Sequence, residues 1–307
     1  MATKLVPLAE VERLSPTCIR ILAGNPGKFT LQGTNTYLVG TGAQRLLVDT
    51  GEGRPSWRRA LARTLAEERA AVSHVLLTHW HWDHVKGVDD VLALCPAARV
   101  FKHTPDPGQL PIADGQEFAV AGATLRAVHT PGHTDDHMVF VLRGTPPGGG
   151  AEGAEGADEG GAALFTGDNV LGHGTSVFED LAVYLASLAR MKALFAGRAY
   201  PGHGPVLDDG PARIQHYIDH RAERERQVLQ ALRAERPAAA VAAAAEGGAV
   251  GAGWTAMDIV KVVYGDTPVE LHPAAEKGVI QILDKLTKEG KTAKEEARWA
   301  MKVRSPL

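Results

Sequence analysis

Cysteine is scarce in this chain, which has two, Cys18 and Cys95, among 307 residues. Two distant cysteines are too few for a disulfide framework, so a small cross-linked scaffold is excluded and a reducing compartment is indicated. Long apolar runs are missing too, because no stretch approaches the roughly 18 apolar residues of a membrane-spanning helix. We therefore expect no membrane insertion. The residues before Glu10 have neither a secretory apolar core nor the arginines of an organelle presequence.

A strong charge of either sign is absent as well. The net charge of −3 gives no electrostatic reason to expect a nucleic-acid partner. From residue 276 to the end, basic residues outnumber acidic ones by eight to five. A solvated helical surface is the favoured explanation for so small an excess. What the chain does have is 44% hydrophobic residues, which is enough to bury the core of one large domain and a small one.

Strand and helix signals alternate along the chain. Short β-rich runs between glycine turns indicate strands, and apolar residues at helical spacing indicate helices. The predicted strands are Cys18–Leu22, Asn35–Val39, 45–48, 75–77, Arg99–Lys102, Glu117–Val120, 124–128, 137–142 and 163–165, and the predicted helices are 56–70, 179–195, 211–235, 255–264 and 273–289. Two series of strands, each accompanied by helices, predict two sheets packed face to face with helices outside, an αββα sandwich.

Two low-complexity segments divide the chain. Residues 146–161 are glycine, alanine and acidic residues between two predicted strands, which indicates a disordered hairpin insertion. Residues 237–253 follow a long helix and have the composition of a linker. We therefore predict a first domain at 1–236 and a small C-terminal domain at 254–307. Two helices and a short hairpin in the second domain predict a winged-helix-like unit.

Four potential metal ligands occupy six positions directly after the predicted strand at 75–77. The segment reads THWHWDH from residue 78 and contains His79, His81, Asp83 and His84. Imidazole and carboxylate are ligands that zinc takes, and a loop at a strand end can point alternate side chains into one site. A single histidine is usually structural, but this density predicts a metal site.

Three more candidate ligands come from other strand ends. They are His133 in TPGHT, Asp168 in FTGD and His203 in YPGHG. Each follows an apolar run and stands beside glycine, where the backbone can turn tightly to present one side chain. His137 and His173 lie close to these motifs. A structural role is favoured for both, with support of the site as the alternative for His137 and contact with substrate as the alternative for His173.

The seven residues match the signature His-x-His-x-Asp-His followed by separate His, Asp and His. By this signature the chain resembles the metallo-β-lactamase fold hydrolases. The resemblance implies two Zn²⁺ ions, one bound by His79, His81 and His133 and the other by Asp83, His84 and His203, with Asp168 bridging them. Paired ions can share a hydroxide and offset charge that develops on the substrate. Asp83 and Asp168 are then the catalytic carboxylates. Asp49 corresponds to an aspartate that orients the site from behind.

Further stretches at 25–27, 31–39, 130–138 and 177–181 are similar to one branch of that family, the mitochondrial endoribonucleases. This likeness implies a zinc-dependent endoribonuclease that cleaves single-stranded RNA with a zinc-bound hydroxide in the mitochondrial matrix. The basic C-terminal segment would hold the RNA backbone. Trp80 and Trp82 are either platforms for RNA bases or packing in the wall of the site, and packing is favoured.

Two other functions stay open. A glyoxalase II-like hydrolase of small-molecule thioesters would use the same centre, since fold and ligands do not distinguish the two reactions. An adaptor protein with purely structural zinc is the third possibility, and it is disfavoured because structural sites fill all four positions and often use cysteine. The sequence identifies no obligate protein partner.

Overall fold

The computed structural model describes residues 5–144, 161–234 and 253–302. They belong to two compact units, Met1–Glu179 with Val183–Tyr217 and Asp180–Ala182 with Ile218–Leu307. The predicted hairpin insertion at 146–161 and linker at 237–253 lie outside the described residues, apart from Gly161 and Gly253. The predicted domain limits therefore stay predictions.

The first seven strands form one sheet in chain order. They are β1 (Val11–Ser15), β2 (Cys18–Leu22), β3 (Asn35–Val39), β4 (Gln44–Val48), β5 (Ala71–Leu76), β6 (Arg99–Lys102) and β7 (Leu110–Pro111). Strands β1 to β4 pair antiparallel, and pairing is parallel from β4 to β7. Parallel neighbours need a crossover connection. Helix α1 (Pro55–Glu67) provides it between β4 and β5, and α2 (Trp82–Val85) with α3 (Val88–Leu94) provides it between β5 and β6.

The second sheet has the order β12-β11-β10-β9-β8. Its strands are β8 (Glu117–Val120), β9 (Ala123–His129), β10 (Met138–Gly144), β11 (Gly161–Gly167) and β12 (Phe195–Pro201). Only the β11–β12 pair of this sheet is parallel, and α4 (Leu181–Lys192) makes the crossover. Helix α4 is held to the turn after β9, where the Ser187 hydroxyl donates to the Pro131 carbonyl at 2.6 Å.

Two apolar layers explain this arrangement. One lies between the sheets and includes Tyr37 from the first and Phe140 and Phe165 from the second. The other lies between the first sheet and its helices and includes Trp57 of α1 and Val91 of α3. Strands β2 and β3 of the first sheet are buried along their whole length because both faces of the sheet are covered there. The predicted αββα sandwich is therefore the observed architecture.

The C-terminal unit is built from helices and a hairpin. Its elements are the end of α5 (Gly210–Arg233), α6 (Ala256–Val263), a 3₁₀ turn (Val269–Leu271), α7 (His272–Lys288), β13 (Thr292–Glu295) and β14 (Arg298–Met301). Thr255 caps α6: its side chain accepts from the Asp258 amide at 3.1 Å, and Asp258 accepts from the Thr255 amide. Trp254, Leu283 and Trp299 are buried in this unit. The helices and hairpin agree with the predicted winged-helix-like arrangement.

Some elements differ from the prediction. We predict a helix at 179–195, but α4 ends at Lys192 and Phe195 begins strand β12. Parallel pairing with β11 decides this, because Phe165 pairs with Tyr200 and the local sequence, FAGRAYP, is a weak strand signal on its own. Strand β7 and helices α2 and α3 are too short to be seen from periodicity, and β1, with the sequence VERLS, has no fully buried residue and no apolar run. No helix in the described ranges is both long and apolar enough to cross a membrane.

Candidate metal centre

The candidate ligands meet at one end of the two sheets. The segment 78–84, the ligand loop, begins where β5 ends and runs into the short helix α2. His133 follows β9, Asp168 follows β11 and His203 follows β12. Because parallel strands end at the same sheet edge, the topology brings these side chains together from distant parts of the chain.

Four of the seven residues form a group rich in histidine. Donor atoms of His79, His81, His133 and Asp168 all lie within 4.8 Å of one another, and we call these residues the three-histidine group. Nδ1 of His81 lies 2.9 Å from Nε2 of His79 and 3.0 Å from Nε2 of His133. Three ring nitrogens therefore converge on one point.

The other three residues form a second group. Donor atoms of Asp83, His84 and His203 lie within 4.8 Å of one another, and we call these the two-histidine group. Oδ2 of Asp83 is 3.4 Å from Nε2 of His84 and 3.3 Å from Nε2 of His203. Asp168 lies between the groups, since its Oδ2 is 3.2 Å from Nε2 of His203 and 3.8 Å from Nε2 of His133. The predicted bridging position fits this geometry.

Hydrogen bonds fix the ring orientation in the three-histidine group. The Thr78 hydroxyl donates to Asp49, so it accepts from Nδ1 of His79 at 2.9 Å. Nδ1 of His133 donates to the Val177 carbonyl at 2.8 Å. The Nε2 atoms of His79 and His133 therefore each present a lone pair, and both face Nδ1 of His81. That nitrogen carries one proton at most, so it can satisfy only one of them. A cation between the three rings satisfies all of them, so these residues fit a metal ion.

Burial sets the proton state of this group. Burial is the largest cause of the lowered pKa of both His79 and His81. The nearby His84 ring lowers the pKa of His79 further, and the His133 ring does the same for His81. The pKa of His79 falls well below its ordinary value and that of His81 falls to about 4. Both rings are neutral at neutral pH, the state in which imidazole binds metal.

The two-histidine group has the opposite balance. Burial is the largest single influence and would lower the pKa of His84 and His203, but the neighbouring carboxylates, Asp168 first among them, together outweigh it. The pKa of His203 therefore rises to about 9 and that of His84 rises well above its ordinary value. Burial would also raise the pKa of Asp83 and Asp168, but the two imidazoles hold both carboxyl groups well below their usual range. Two buried carboxylates, Asp83 of this group and Asp168 between the groups, can therefore face a cation.

Supporting side chains surround the ligands. Asp49 accepts from the Thr78 amide at 2.8 Å and from Nδ1 of His84 at 2.7 Å, so it orients the site as the resemblance implies. The Thr34 hydroxyl donates to Oδ2 of Asp83 at 2.9 Å. His137 accepts the Asp168 amide at 3.1 Å through Nε2 and stacks on His79. The sequence analysis does not predict a role for Thr34. The only signal for it is its place in a glycine turn directly before β3.

A cavity of about 350 Å³ opens over the two groups. Five candidate ligands line it together with two loops, 28–31 and 171–177. His173 belongs to the second loop and lines the cavity. This position is the one expected from the alternative in which His173 contacts substrate. Trp82 lines the cavity and is 51% exposed, which makes it part of an open wall and not a packed side chain.

Comparison with known families decides what this centre belongs to. The family model described as "Metallo-beta-lactamase superfamily" matches residues 29–203, which include all seven candidate ligands. The chain belongs to the metallo-beta-lactamase superfamily. A second family model, the beta-lactamase associated winged helix domain, matches residues 255–299. The predicted fold of this superfamily member, a sandwich with a C-terminal winged helix, is thereby confirmed.

Similar proteins cover almost the whole chain. The chain is 47% identical to the lactamase-like protein adaB of Aspergillus niger, over 95% of this chain and 88% of that protein. It is 45% identical to an atrochrysone carboxyl ACP thioesterase of Cryptosporiopsis sp., over 94% of this chain and 85% of the relative. A metallo-beta-lactamase family protein from Thermus thermophilus has the same fold, with a TM-score of 0.67, 23% identity and coverage of 94% and 100% of the two chains.

These relatives correct the predicted function. The endoribonuclease activity, the single-stranded RNA partner and the nuclease class are wrong, because similar proteins are named thioesterases of an acyl carrier protein substrate and lactamase-like proteins. The specific likeness to the mitochondrial endoribonucleases is not supported. The error has a physical reason: the ligand motif specifies the metal centre and not the bond that is cleaved. The mitochondrial location rested on the same likeness, and nothing tests it.

Proposed function

We propose that this protein hydrolyses the thioester bond of an acyl group, with an acyl carrier protein as the thiol carrier and two Zn²⁺ ions in the centre. The observation that carries the proposal is the 45% identity, over 94% of the chain, to a protein named as an ACP thioesterase. Small-molecule thioester hydrolysis is the alternative reaction that the sequence leaves open, and this proposal belongs to the same chemistry.

The residues that would hold the metal are the seven of the two groups. One ion would be bound by the three-histidine group and the other by the two-histidine group, with Asp168 shared. Neutral imidazoles and ionised carboxylates are suitable zinc ligands, and His84 and His203, whose pKa is raised, would give up a proton on binding the metal. When bound, paired zinc ions supply polarisation of the thioester carbonyl and a lowered pKa for water.

The chain itself supplies a carboxylate, Asp83, that can orient an attacking water beside the cavity. The Asp83 carboxylate lines the cavity, and the Thr34 hydroxyl holds its Oδ2, so the group keeps a fixed orientation. It can accept a hydrogen bond from an attacking water and so orient the water. The leaving group is a thiolate, whose conjugate acid has a pKa of roughly 8.5 in a simple thiol. A thiolate can leave without first receiving a proton from the protein, whereas the alkoxide released from RNA needs one.

The proposal is tested by thiol release. Zinc-loaded protein is incubated with an aromatic acyl thioester on an acyl carrier protein and, separately, on N-acetylcysteamine, and the free thiol is measured with a thiol reagent. We expect release that stops after metal removal by a chelator and returns on addition of zinc. Metal analysis should give two zinc ions per chain. A protein that holds two zinc ions and releases thiol from neither substrate contradicts the proposal.

A further inference from the structure

Exposed apolar side chains cluster at the mouth of the cavity. Phe29 is 77% exposed, Val177 67% and Trp82 51%, and all three line the same cavity from three separate segments. Single exposed apolar residues are common, but a cluster at a pocket indicates contact with a ligand or a partner. The same cavity contains the candidate ligands Asp83 and Asp168. A molecule that covers these side chains therefore reaches the metal centre.

The exposure of Phe29 is imposed by its loop. The Thr30 hydroxyl donates to the Asn25 carbonyl at 2.6 Å, and the Gly27 amide donates to the Leu31 carbonyl at 3.1 Å. Leu31 has a φ of 55°, which is unfavourable for a side chain of this size and is tolerated only where surrounding bonds enforce it. The loop is thus fixed with its phenyl ring in solvent. A fixed ring loses little conformational entropy when a ligand covers it.

The loop that contains His173 and Val177 is fixed as well. The Gly172 amide donates to the His203 carbonyl at 2.9 Å, and the Val177 carbonyl accepts from His133. Arg213 donates to the Gly174 carbonyl at 2.7 Å. The loop is therefore bonded to one candidate ligand from each group, so its side chains keep a set position relative to the centre.

His173 is the polar side chain of this cavity wall that no other role explains. It is half-buried, and neither group of potential metal ligands includes it. Among the described residues, no hydrogen bond to its ring is found. A neutral imidazole offers one donor and one acceptor nitrogen. At a cavity wall these nitrogens are available to an oxygen of the bound molecule.

We propose that Phe29, Trp82, Val177 and His173 form an acyl-binding subsite. It selects large, flat apolar acyl groups that have an oxygen substituent, in preference to small groups such as acetyl. The inference rests on the proposed thioesterase function, because the thioester places the acyl group beside the centre. A cavity of about 350 Å³ is within the range of pockets for organic ligands, and an acetyl group would leave most of it empty.

Three thioesters of N-acetylcysteamine separate the contributions: 3-hydroxy-2-naphthoyl, 2-naphthoyl and acetyl. For Phe29→Ala we expect kcat/KM to fall about tenfold or more with both naphthoyl substrates, from the apolar contact that is lost, and by a smaller factor with acetyl. For His173→Ala we expect a higher KM with the hydroxynaphthoyl substrate and a smaller change with naphthoyl, which lacks the oxygen. His173→Gln should recover part of the loss, because an amide also donates and accepts.

Val269→Ala is the matched control, since Val269 is 72% exposed and lies in the C-terminal unit outside the cavity. Zinc content is measured for every variant and should stay at the wild-type value.

Binding of the amide analogue of the hydroxynaphthoyl thioester, measured by titration calorimetry, tests the subsite without hydrolysis. A wild type that binds the amide more tightly than Phe29→Ala but cleaves no thioester supports the subsite and refutes the proposed reaction. Phe29→Ala and His173→Ala that match Val269→Ala in both assays overturn the subsite.

Discussion

The two donor groups differ in what holds their ligands in place. In the three-histidine group, His133 is oriented by the backbone carbonyl of Val177, and His79 is oriented by the Thr78 hydroxyl. In the two-histidine group, His84 is oriented by the carboxylate of Asp49 and Asp83 by the hydroxyl of Thr34. A backbone carbonyl survives any side-chain substitution, whereas a carboxylate or hydroxyl does not. We infer that mutation can weaken the two-histidine group selectively, and that the three-histidine group is the more robust of the two.

Asp168→Ala should have the largest effect, because this carboxylate contacts both groups. We expect fewer than two zinc ions per chain and thioester hydrolysis reduced by about a thousandfold, since a shared ligand supports the several kcal/mol that paired ions contribute. Metal analysis and kcat/KM measure this. Asp114→Ala, which removes an exposed carboxylate bonded to Arg190, is the control. Retention of both ions and of activity in Asp168→Ala would refute the shared role.

Asp49→Ala is expected to come next. It leaves the buried Thr78 amide and His84 Nδ1 without their acceptor, and supporting residues of this kind change metal affinity by about 10- to 100-fold. Competition with a zinc chelator should show the larger loss of affinity at the two-histidine group, where Asp49 contacts His84 directly, and a smaller loss at the three-histidine group, where Asp49 acts through Thr78 on His79. The loss of buried hydrogen bonds should also lower the free energy of unfolding by about 1–3 kcal/mol. Equal weakening of both zinc-binding steps would contradict the difference between the groups.

Thr34→Val should have a moderate effect. The valine has the same shape but does not donate to Asp83, and one hydrogen bond to a charged group is worth about 1.5–3 kcal/mol. In the same chelator titration, we expect zinc binding by the two-histidine group to lose affinity and zinc binding by the three-histidine group to stay unchanged. Thr41→Val, at an exposed turn away from the centre, should leave both steps unchanged.

Ser176→Ala should have the smallest effect. Its hydroxyl is 3.2 Å from Nδ1 of His133, but that nitrogen keeps the Val177 carbonyl at 2.8 Å. The hydroxyl is buried and also donates to the Val177 carbonyl at 2.9 Å, so we expect a loss of about 0.5–1.5 kcal/mol in stability, the range of one uncharged hydrogen bond, and a smaller loss of zinc affinity than in Thr34→Val. If Ser176→Ala weakens zinc binding as much as Thr34→Val does, the backbone anchor is not decisive and the comparison between the groups fails.

Much of the site was predictable because ligand chemistry is local. The density of His79, His81, Asp83 and His84 after a buried strand predicted a metal loop, and the structure places the three distant candidates beside it. The substrate was not predictable in this way. The same centre polarises a phosphodiester or a thioester, so the error arose from adding a bond type to a motif that does not encode one. The exposed ring of Phe29 has no sequence signature, and the position of His173 in the cavity wall was open to the sequence only as an alternative, from its closeness to a ligand motif.

The sequence by itself determined the donor residues, the strands with apolar periodicity and the helices of the C-terminal unit, because these depend on residue type and on spacing within one segment. The tertiary structure alone decided the contacts between distant segments. Thr34 reaches Asp83 across 49 positions, and Val177 reaches His133 across 44. Strand β12 exists because β11 offers it a partner. Hydrogen bonds of this kind depend on where two strands end in space, and no local pattern contains that information.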